Sequence, residues 1–231
     1  MPTVVITGAN RGLGLEFAAQ YAADGWRTMA CCRQPERAPE LAQLAQRSHG
    51  RLTIHPLEVT NPEHVNAFRE SLGASGIDVL INNAGMYGQK GVSLGNSDAD
   101  IWKHTFHTNV IAPFQIMEKL MDNLVAGEQR IVANVTSKMG SIGDNSSGGS
   151  YIYRSSKSAL NSAMRAAALD LAGDGFKIVL LHPGGVKTDM GGDQALIDSE
   201  TSVGRMRGII AGLTADDNGR FIDQDGSTIP W

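Results

Sequence analysis

The amino-acid sequence predicts an α/β protein with one domain, built as a doubly wound parallel sheet with helices on both faces. Short apolar runs, most of them rich in β-branched residues, alternate along the chain with helical patterns. A glycine-rich segment joins the first apolar run to the first helical pattern. The 231 residues show no repeat, linker or low-complexity tract, and this length suits a single α/β domain with a full core.

The elements alternate regularly from the N-terminus onwards. Strands are predicted at TVVIT (3–7), RTMACC (27–32), RLTIHPLEV (51–59), IDVLIN (77–82), RIVANVTS (130–137) and FKIVLL (176–181). Helical patterns lie between them at 12–24, 35–47, 62–72, 98–125 and 151–172. The ending GRFIDQDGSTIPW predicts one more strand and a tail, and GDNSSGGS (143–150) predicts a loop. Because strands and helices alternate, the strands are expected to be parallel.

Charge and hydropathy narrow the classes of partner. The formal net charge is −4 with no run of like charges, so neither a nucleic acid nor a membrane is expected as a partner. The N-terminus MPTVVITGAN has no basic segment followed by a long apolar core, and no apolar stretch approaches about 18 residues. These features predict a cytoplasmic protein.

The cysteines and histidines predict no metal site. Cys31 and Cys32 are neighbours in a predicted strand, where successive side chains point to opposite faces, so they are not expected to bond each other. The sequence has no other cysteine, which suits a reducing compartment. His104 and His107 lie three residues apart without a visible third ligand, and a zinc site needs at least three.

The segment TGANRGLG (7–14) predicts a dinucleotide site. It leaves the first strand and enters the first helix, with glycines at 8, 12 and 14. Glycines at such a turn let backbone N–H groups approach a pyrophosphate, whose charge the N-terminus of the helix favours. The spacing differs from G-x-G-x-x-G, and a tight turn without a ligand is the alternative.

Two arginines favour NADP(H) over NAD(H). Arg11 lies where the first helix begins, a place unfavourable for a cation unless an anion is bound. Arg33 follows the second strand, in the region where an NAD-binding protein usually carries an acid for the ribose hydroxyls, and Glu36 falls beyond a proline. The alternative is that both arginines are ordinary solvated surface residues.

The stretch SYIYRSSKSA (150–159) raises the question of which tyrosine carries chemistry. Tyr153 and Lys157 are four apart and share one face of a helix, whereas Tyr151 points elsewhere. Taken alone, such a pair is usually a packed ring beside a solvated amine. The Tyr153–Lys157 pair therefore depends on its surroundings for a functional interpretation.

Those surroundings resemble the short-chain dehydrogenase/reductase family. TGANRGLG, NNAG (82–85), TNV around Asn109, Ser137 in NVTSKMGS, YRSSK (153–157) and HPGGVKT (182–188) occur in this order over nearly the whole chain. GGDQALIDSETS and the C-terminal stretch further resemble the C-factor and sniffer-type carbonyl reductase branch. The resemblance implies a Rossmann-type sheet in one domain spanning 1–231, with 189–212 as a substrate lid.

The resemblance also implies roles for individual residues. Tyr153 matches the general acid/base, Lys157 its electrostatic helper and ribose ligand, Ser137 the donor to the substrate carbonyl, and Asn109 the residue that holds a relay water. Thr188 matches the residue that binds the nicotinamide carboxamide. The implied cofactor contacts are Gly8, Asn10, Arg11, Gly12, Leu13, Gly14, Arg33, Glu58, Val59, Asn83, Ala84, Gly85, Tyr153, Lys157, Pro183, Gly184, Val186 and Thr188; at Glu58 the relatives usually carry the shorter Asp.

The chemistry explains why these residue types belong together. Hydride addition to a carbonyl leaves an alkoxide, which needs a proton and a hydrogen-bond donor. An ammonium about 4 Å from a phenol, at an effective dielectric near 20, contributes about 4 kcal/mol. That would lower the pKa of Tyr153 from about 10 towards ~7. Ser137 has no histidine partner and is a poor candidate for a nucleophile.

Two functions from different classes are therefore considered. The favoured one is an NADPH-dependent reductase of an aldehyde, ketone or quinone; the alternative is a non-catalytic NADP-binding or signalling protein on the same fold. The complete set of Asn109, Ser137, Tyr153 and Lys157 favours the enzyme. The substrate is not identified, the assembly is left open between a homodimer and a homotetramer, and Met86, Tyr87, Met139 and Met190 are assigned to either the pocket or the core.

Overall fold

The computed structural model describes residues 1–186 and 196–231. Within these residues, seven parallel strands form one sheet. They are β1 (Thr3–Thr7), β2 (Arg27–Cys32), β3 (Leu52–Pro56), β4 (Val79–Asn82), β5 (Ile131–Val135), β6 (Lys177–His182) and β7 (Phe221–Asp223). Their order across the sheet is β3-β2-β1-β4-β5-β6-β7. This confirms the predicted doubly wound sheet, including its last strand.

Helices cover both faces of the sheet. They are α1 (Gly12–Ala23), α2 (Pro39–Arg47), α3 (Pro62–Leu72), α4 (Ala99–Phe106), α5 (Ala112–Lys119), α6 (Met121–Ala126), α7 (Tyr151–Asp170) and α8 (Ser199–Ala211). In β1, Val4 and Ile6 pack with Phe17 of α1 on one face, while Val5 joins the cluster that contains Leu120 on the other. No helix in the described ranges is long and apolar enough to span a membrane.

The predicted long helix and third strand differ in the structure, and one helix was not predicted. The single helix expected at 98–125 is divided by a π-helical turn (His107–Ile111) that precedes Pro113, which cannot donate a backbone hydrogen bond. The third strand ends at Pro56, three residues earlier than expected. Helix α8 was not predicted, because Gly204 and Gly208 interrupt its helical pattern.

The strand order places the candidate residues at one edge of the sheet, the edge formed by the carboxyl ends of the strands. The order reverses between β1 and β4, and ligands of open α/β sheets bind at the carboxyl ends of strands near such a reversal. Gly8 follows β1, Asn83 follows β4 and Ser137 follows β5 by two residues. Arg33 and Pro183 directly follow β2 and β6. All five therefore lie along the same edge.

Candidate active site

The glycine loop packs too closely for side chains at two positions. Gly8 has φ +65, and a Cβ there would lie 2.9 Å from the Cα of Ala84. A Cβ on Gly14 would overlap the carbonyl oxygen of Gly8 and lie 2.5 Å from Nδ2 of Asn83. These glycines are therefore required by the turn itself, which brings the start of α1 against the end of β4.

Thr7 and Asn83 hold this turn in place. The Asn83 side-chain amide donates to the carbonyl oxygens of Thr7 and Gly8, at 3.0 and 3.1 Å. The Thr7 hydroxyl accepts from the backbone N–H groups of Asn83 and Ala84, at 3.1 and 3.0 Å. Sequence reasoning did not single out Thr7, which looks like any strand residue until β4 is placed beside β1.

The start of α1 suits an anion. Arg11 is its N-cap residue, without a side-chain capping hydrogen bond, and the first turn contains no acidic residue. Asn10, Arg11 and Gly12 are exposed, and Leu13 is half-buried. Because backbone N–H groups and the positive end of the helix dipole meet here, the loop offers an environment in which a phosphate is favourable.

Arg33 and Glu58 meet at the edge formed by β2 and β3. Nε of Arg33 lies 3.8 Å from Oε2 of Glu58, and the Arg33 side chain is 72% exposed. The other carboxylate oxygen of Glu58 accepts from the hydroxyl of Thr60 at 3.1 Å. The longer acid thus reaches the arginine, while Val59 packs against the core.

Ser137, Tyr153 and Lys157 form a buried polar cluster. Their exposures are 7%, 8% and 6%. The Ser137 side chain interacts with the Tyr153 phenol and lowers its pKa, and the Ser137 hydroxyl accepts from the backbone N–H of Met139 at 3.1 Å. Nζ of Lys157 donates to the carbonyl oxygen of Val135 at 3.1 Å and lies 5.8 Å from the centroid of the Tyr153 ring. The structure therefore brings these three predicted residues together.

The predicted lowering of the Tyr153 pKa is wrong in this structure. Burial raises the pKa of Tyr153 to about 12; the hydrogen bond with Ser137 opposes this increase, and Tyr87 adds to it. Burial also lowers the pKa of Lys157 from 10.5 to about 8. Both shifts arise because a buried site disfavours the charged form of each group. At neutral pH the phenol is protonated, and most of the amine is still an ammonium.

Asn109 lies in the π-helical turn and links two neighbouring elements. Its Oδ1 accepts from the N–H of Met86 at 2.9 Å, and its Nδ2 donates to the carbonyl oxygen of Met86 at 2.8 Å and to the hydroxyl of Ser156 at 3.0 Å. A Cβ on Gly85 would lie 3.3 Å from Oδ1 of Asn109 and 3.6 Å from Nζ of Lys157. The side chains of Asn109 and Lys157 therefore both lie next to Gly85.

Tyr151 lies on the opposite side of α7 from the polar cluster. It lines a cavity of about 450 Å³ together with Trp102, Met139 and Arg154. The Trp102 indole donates to the hydroxyl of Ser155 at 3.1 Å, which joins α4 to this side of α7. The i to i+4 spacing therefore separated the two tyrosines correctly.

The segment after β6 contacts helix α8 and the residue Ile197. The carbonyl oxygen of Pro183 accepts from the hydroxyl of Ser202 at 2.6 Å, and Gly184 has φ +84. Val186, which is 4% exposed, pairs with Ile197. The predicted carboxamide ligand Thr188 and the part of the lid at 189–195 lie outside the described residues; the rest of the lid, 196–212, contains α8.

The comparisons with known proteins decide the family. The family model for short chain dehydrogenases matches residues 2–196. This chain belongs to the short-chain dehydrogenase family. C-signal of Myxococcus xanthus is 43% identical over 167 residues, which cover 72% of this chain and 100% of that protein. A 1-hydroxy-2-glutathionyl-2-methyl-3-butene dehydrogenase of Rhodococcus sp. strain AD45 is 32% identical and covers 100% of both chains.

Solved structures agree with this assignment. The carbonyl reductase Sniffer of D. melanogaster is 32% identical, with a TM-score of 0.92 and 100% of both chains covered. An NADPH-bound carbonyl reductase from chicken fatty liver is 34% identical, with a TM-score of 0.91, covering 100% of this chain and 99% of that one. The predicted family and enzyme class are confirmed: this short-chain dehydrogenase is an oxidoreductase with the fold of carbonyl reductases.

The sequence did not decide whether Tyr87 of this short-chain dehydrogenase lines the substrate pocket or belongs to the core. Its ring stacks on that of Tyr153, with centroids 4.8 Å apart and planes inclined by 22°. Its hydroxyl lies 2.7 Å from that of Ser150. The position two residues after the NNAG motif was a signal that Tyr87 lies near the site, but the stacking depends on how β4 and α7 are placed.

Proposed function

We propose that this chain reduces the carbonyl group of an aldehyde, ketone or quinone to a hydroxyl, with NADPH as hydride donor and Tyr153 as proton donor. The observation that carries the proposal is the buried cluster of Ser137, Tyr153 and Lys157 at the carboxyl edge of the sheet. A phenol with a raised pKa keeps its proton at neutral pH and is in the form that a reduction consumes. The similar structures described as carbonyl reductases support this reaction class.

Each residue of the cluster has one task in the proposed reaction. Tyr153 transfers its hydroxyl proton to the carbonyl oxygen, while Ser137 donates a hydrogen bond to that oxygen as it gains negative charge. The Lys157 ammonium stabilises the phenolate that remains. Asn109 holds the Met86 segment in place, and the relay water implied at Asn109 stays a prediction. NADPH, when bound, supplies the hydride that the carbonyl carbon accepts.

The residues of the glycine-loop edge fit a dinucleotide phosphate. The start of α1 lacks acidic residues; Arg11 lies between β1 and α1, and Arg33 directly follows β2 at the same edge of the sheet. We assign the 2′-phosphate to these two arginines. The other proposed contacts are Gly8, Asn10, Gly12, Leu13, Gly14, Glu58, Val59, Asn83, Ala84, Gly85, Tyr153, Lys157, Pro183, Gly184, Val186 and Thr188.

Arg33→Asp is expected to narrow or reverse the preference for NADPH over NADH. A charge-assisted hydrogen bond contributes ~1.5 to 3 kcal/mol, so losing it should weaken NADPH binding roughly ten- to a hundredfold. The matched control is Arg47→Asp, the same charge change at an exposed position in the last turn of α2. Kd values for both cofactors, measured by fluorescence titration, check this. An unchanged cofactor ratio in Arg33→Asp would place the 2′-phosphate elsewhere.

Gly185→Trp is expected to remove activity on bulky ketones selectively. Gly185 is exposed, and among residues 1–186 and 196–231 a Cβ there would meet only the backbone nitrogen of Leu196, at 3.9 Å, so these residues leave room for a side chain. An indole at this position would occupy space beside the nicotinamide that we assign to the substrate. The measurement is kcat/KM for a small and a bulky ketone, with Gly185→Ala as the size control. Equal losses on both ketones would contradict this role.

The reaction itself is tested by following NADPH absorbance with a panel of aldehydes, ketones and quinones. Oxidation of NADPH that requires both the protein and a carbonyl compound supports the proposal. The similarity to C-signal favours a signalling protein on the same fold as the second candidate. Tight NADPH binding without turnover of any panel member would favour this candidate. A homodimer or homotetramer and a lid at 189–212 stay predictions.

A further inference from the structure

We propose that Tyr87 is a positioning residue for Tyr153: its stacked ring and its hydroxyl link to Ser150 hold the Tyr153 phenol in the orientation for proton transfer. This inference rests on the proposed function, since it assigns Tyr87 a role through the proton donor. Nothing in the family resemblance or in the motifs assigns a role to this position. The support comes from the contacts of Tyr87 with Tyr153 and Ser150, and from those of the preceding residue, Met86, with Asn109.

The first contact is the stack between the two rings. A centroid distance of 4.8 Å and an interplanar angle of 22° fall within the favourable range for aromatic pairs. Tyr153 is 8% exposed and its phenol interacts with the Ser137 side chain, so small rotations of its ring would misdirect the hydroxyl. The Tyr87 ring lies where it opposes such rotations.

The second and third contacts fix Tyr87 itself. The residue before it, Met86, is held through both its N–H and its carbonyl oxygen by the side chain of Asn109. The Tyr87 hydroxyl lies 2.7 Å from that of Ser150, which is the N-cap residue of α7 and has φ +48. Such a left-handed conformation is strained for a residue other than glycine and persists only where neighbouring contacts hold it. Tyr87 thus connects the loop after β4 to the start of the helix that carries Tyr153.

Tyr87 also favours the protonated form of Tyr153, through an electrostatic interaction that adds to the larger effect of burial. Burial and Tyr87 together raise the pKa of this phenol, against the opposing hydrogen bond from Ser137. The ammonium of Lys157 is the charged group beside the ring, 5.8 Å from its centroid. Replacing Tyr87 therefore changes both the orientation of the hydroxyl and the readiness of the phenol to lose its proton.

The test compares Tyr87→Leu, Tyr87→Phe and Ser150→Ala. Tyr87→Leu should lower kcat about 3- to 10-fold, the range that an aromatic pair contributes, with KM for NADPH unchanged. Tyr87→Phe keeps the stack and should largely restore kcat. In the Tyr153→Phe background, Tyr87→Leu should cause no further loss, because its effect passes through the phenol. An equal further loss in that background, or an unchanged kcat in Tyr87→Leu, would overturn the inference.

A second measurement does not depend on turnover. The ultraviolet absorbance of tyrosinate, taken as the difference between the wild type and Tyr153→Phe, reports the titration of Tyr153. Tyr87→Leu should move this titration to lower pH, and an unmoved titration counts against the inference even if the wild type reduces no carbonyl. If Tyr87→Leu does not fold, Tyr87→Phe and Ser150→Ala provide the test, because each removes one hydroxyl of the Tyr87–Ser150 contact. Equal small losses of kcat that do not add in the double variant support the link between the two residues. Additive losses, or no loss in either variant, contradict it.

Discussion

Tyr153→Phe is expected to lower kcat ~10²- to 10⁴-fold while the fold and NADPH binding survive. The change removes one hydroxyl and keeps the ring that stacks on Tyr87. The lost group is the only one that we assign as proton donor, so the hydride step would leave an alkoxide without its proton. Steady-state kinetics with a carbonyl substrate, together with thermal unfolding and NADPH titration, measures the three expectations separately.

Tyr151→Phe is the matched control for this prediction. The two tyrosines lie two positions apart in α7, but Tyr151 lines the cavity with Trp102 on the opposite side of the helix. Its turnover should stay close to that of the wild type. If Tyr151→Phe were inactive and Tyr153→Phe turned over normally, the helical-face assignment and the proposed proton donor would both be wrong.

Lys157→Met is expected to lower kcat/KM on the order of 10²- to 10³-fold. An ammonium near a developing phenolate contributes about 4 kcal/mol at an effective dielectric of about 20, and methionine keeps the length of the side chain without its charge. Because burial lowers the pKa of Lys157, the charged form is disfavoured in the folded protein, so removing it should not destabilise the fold. Unfolding in denaturant is the control, and kinetics with NADPH varied separates binding from turnover.

The pH dependence distinguishes Lys157 from Tyr153 as the titrating group. Lys157 is an ammonium below about pH 8 and loses its charge above it, whereas Tyr153 keeps its proton to about pH 12. The wild-type reduction rate should therefore fall above about pH 8, and this decrease should be absent in Lys157→Met. If the decrease persisted in Lys157→Met and disappeared in Tyr153→Phe, the lowered phenol pKa predicted from sequence would be correct after all.

The lowered pKa of Lys157 should also make the free energy of unfolding depend on pH. Between about pH 8 and its usual pKa of 10.5, the unfolded chain binds a proton at Lys157 that the folded chain does not. The free energy of unfolding should thus rise with pH across this window in the wild type, relative to Lys157→Met. Parallel slopes for the two proteins would show that Lys157 is solvated in the folded state.

Structural features that depend on a few neighbouring residues were predicted correctly from the sequence. The β-branched runs predict the strands, because alternation and apolarity are local consequences of burial on a sheet. The pairing of Tyr153 with Lys157, and its separation from Tyr151, follow from the 3.6-residue repeat of a helix. The predicted strand–glycine–helix order of TGANRGLG is present as β1, the loop that contains Gly8, and α1.

Properties that depend on distant segments were decided by the tertiary structure. Tyr87 and Ser150 have no local pattern that links them, and their contact arises because β4 and β5 are neighbours and α7 packs beside the loop after β4. The pKa of Tyr153 likewise depends on burial by the whole site: an ammonium four residues away predicted a decrease, whereas desolvation produces an increase. Local spacing selects which side chains face each other, but the dielectric environment in which they act is created only when all of the surrounding elements pack.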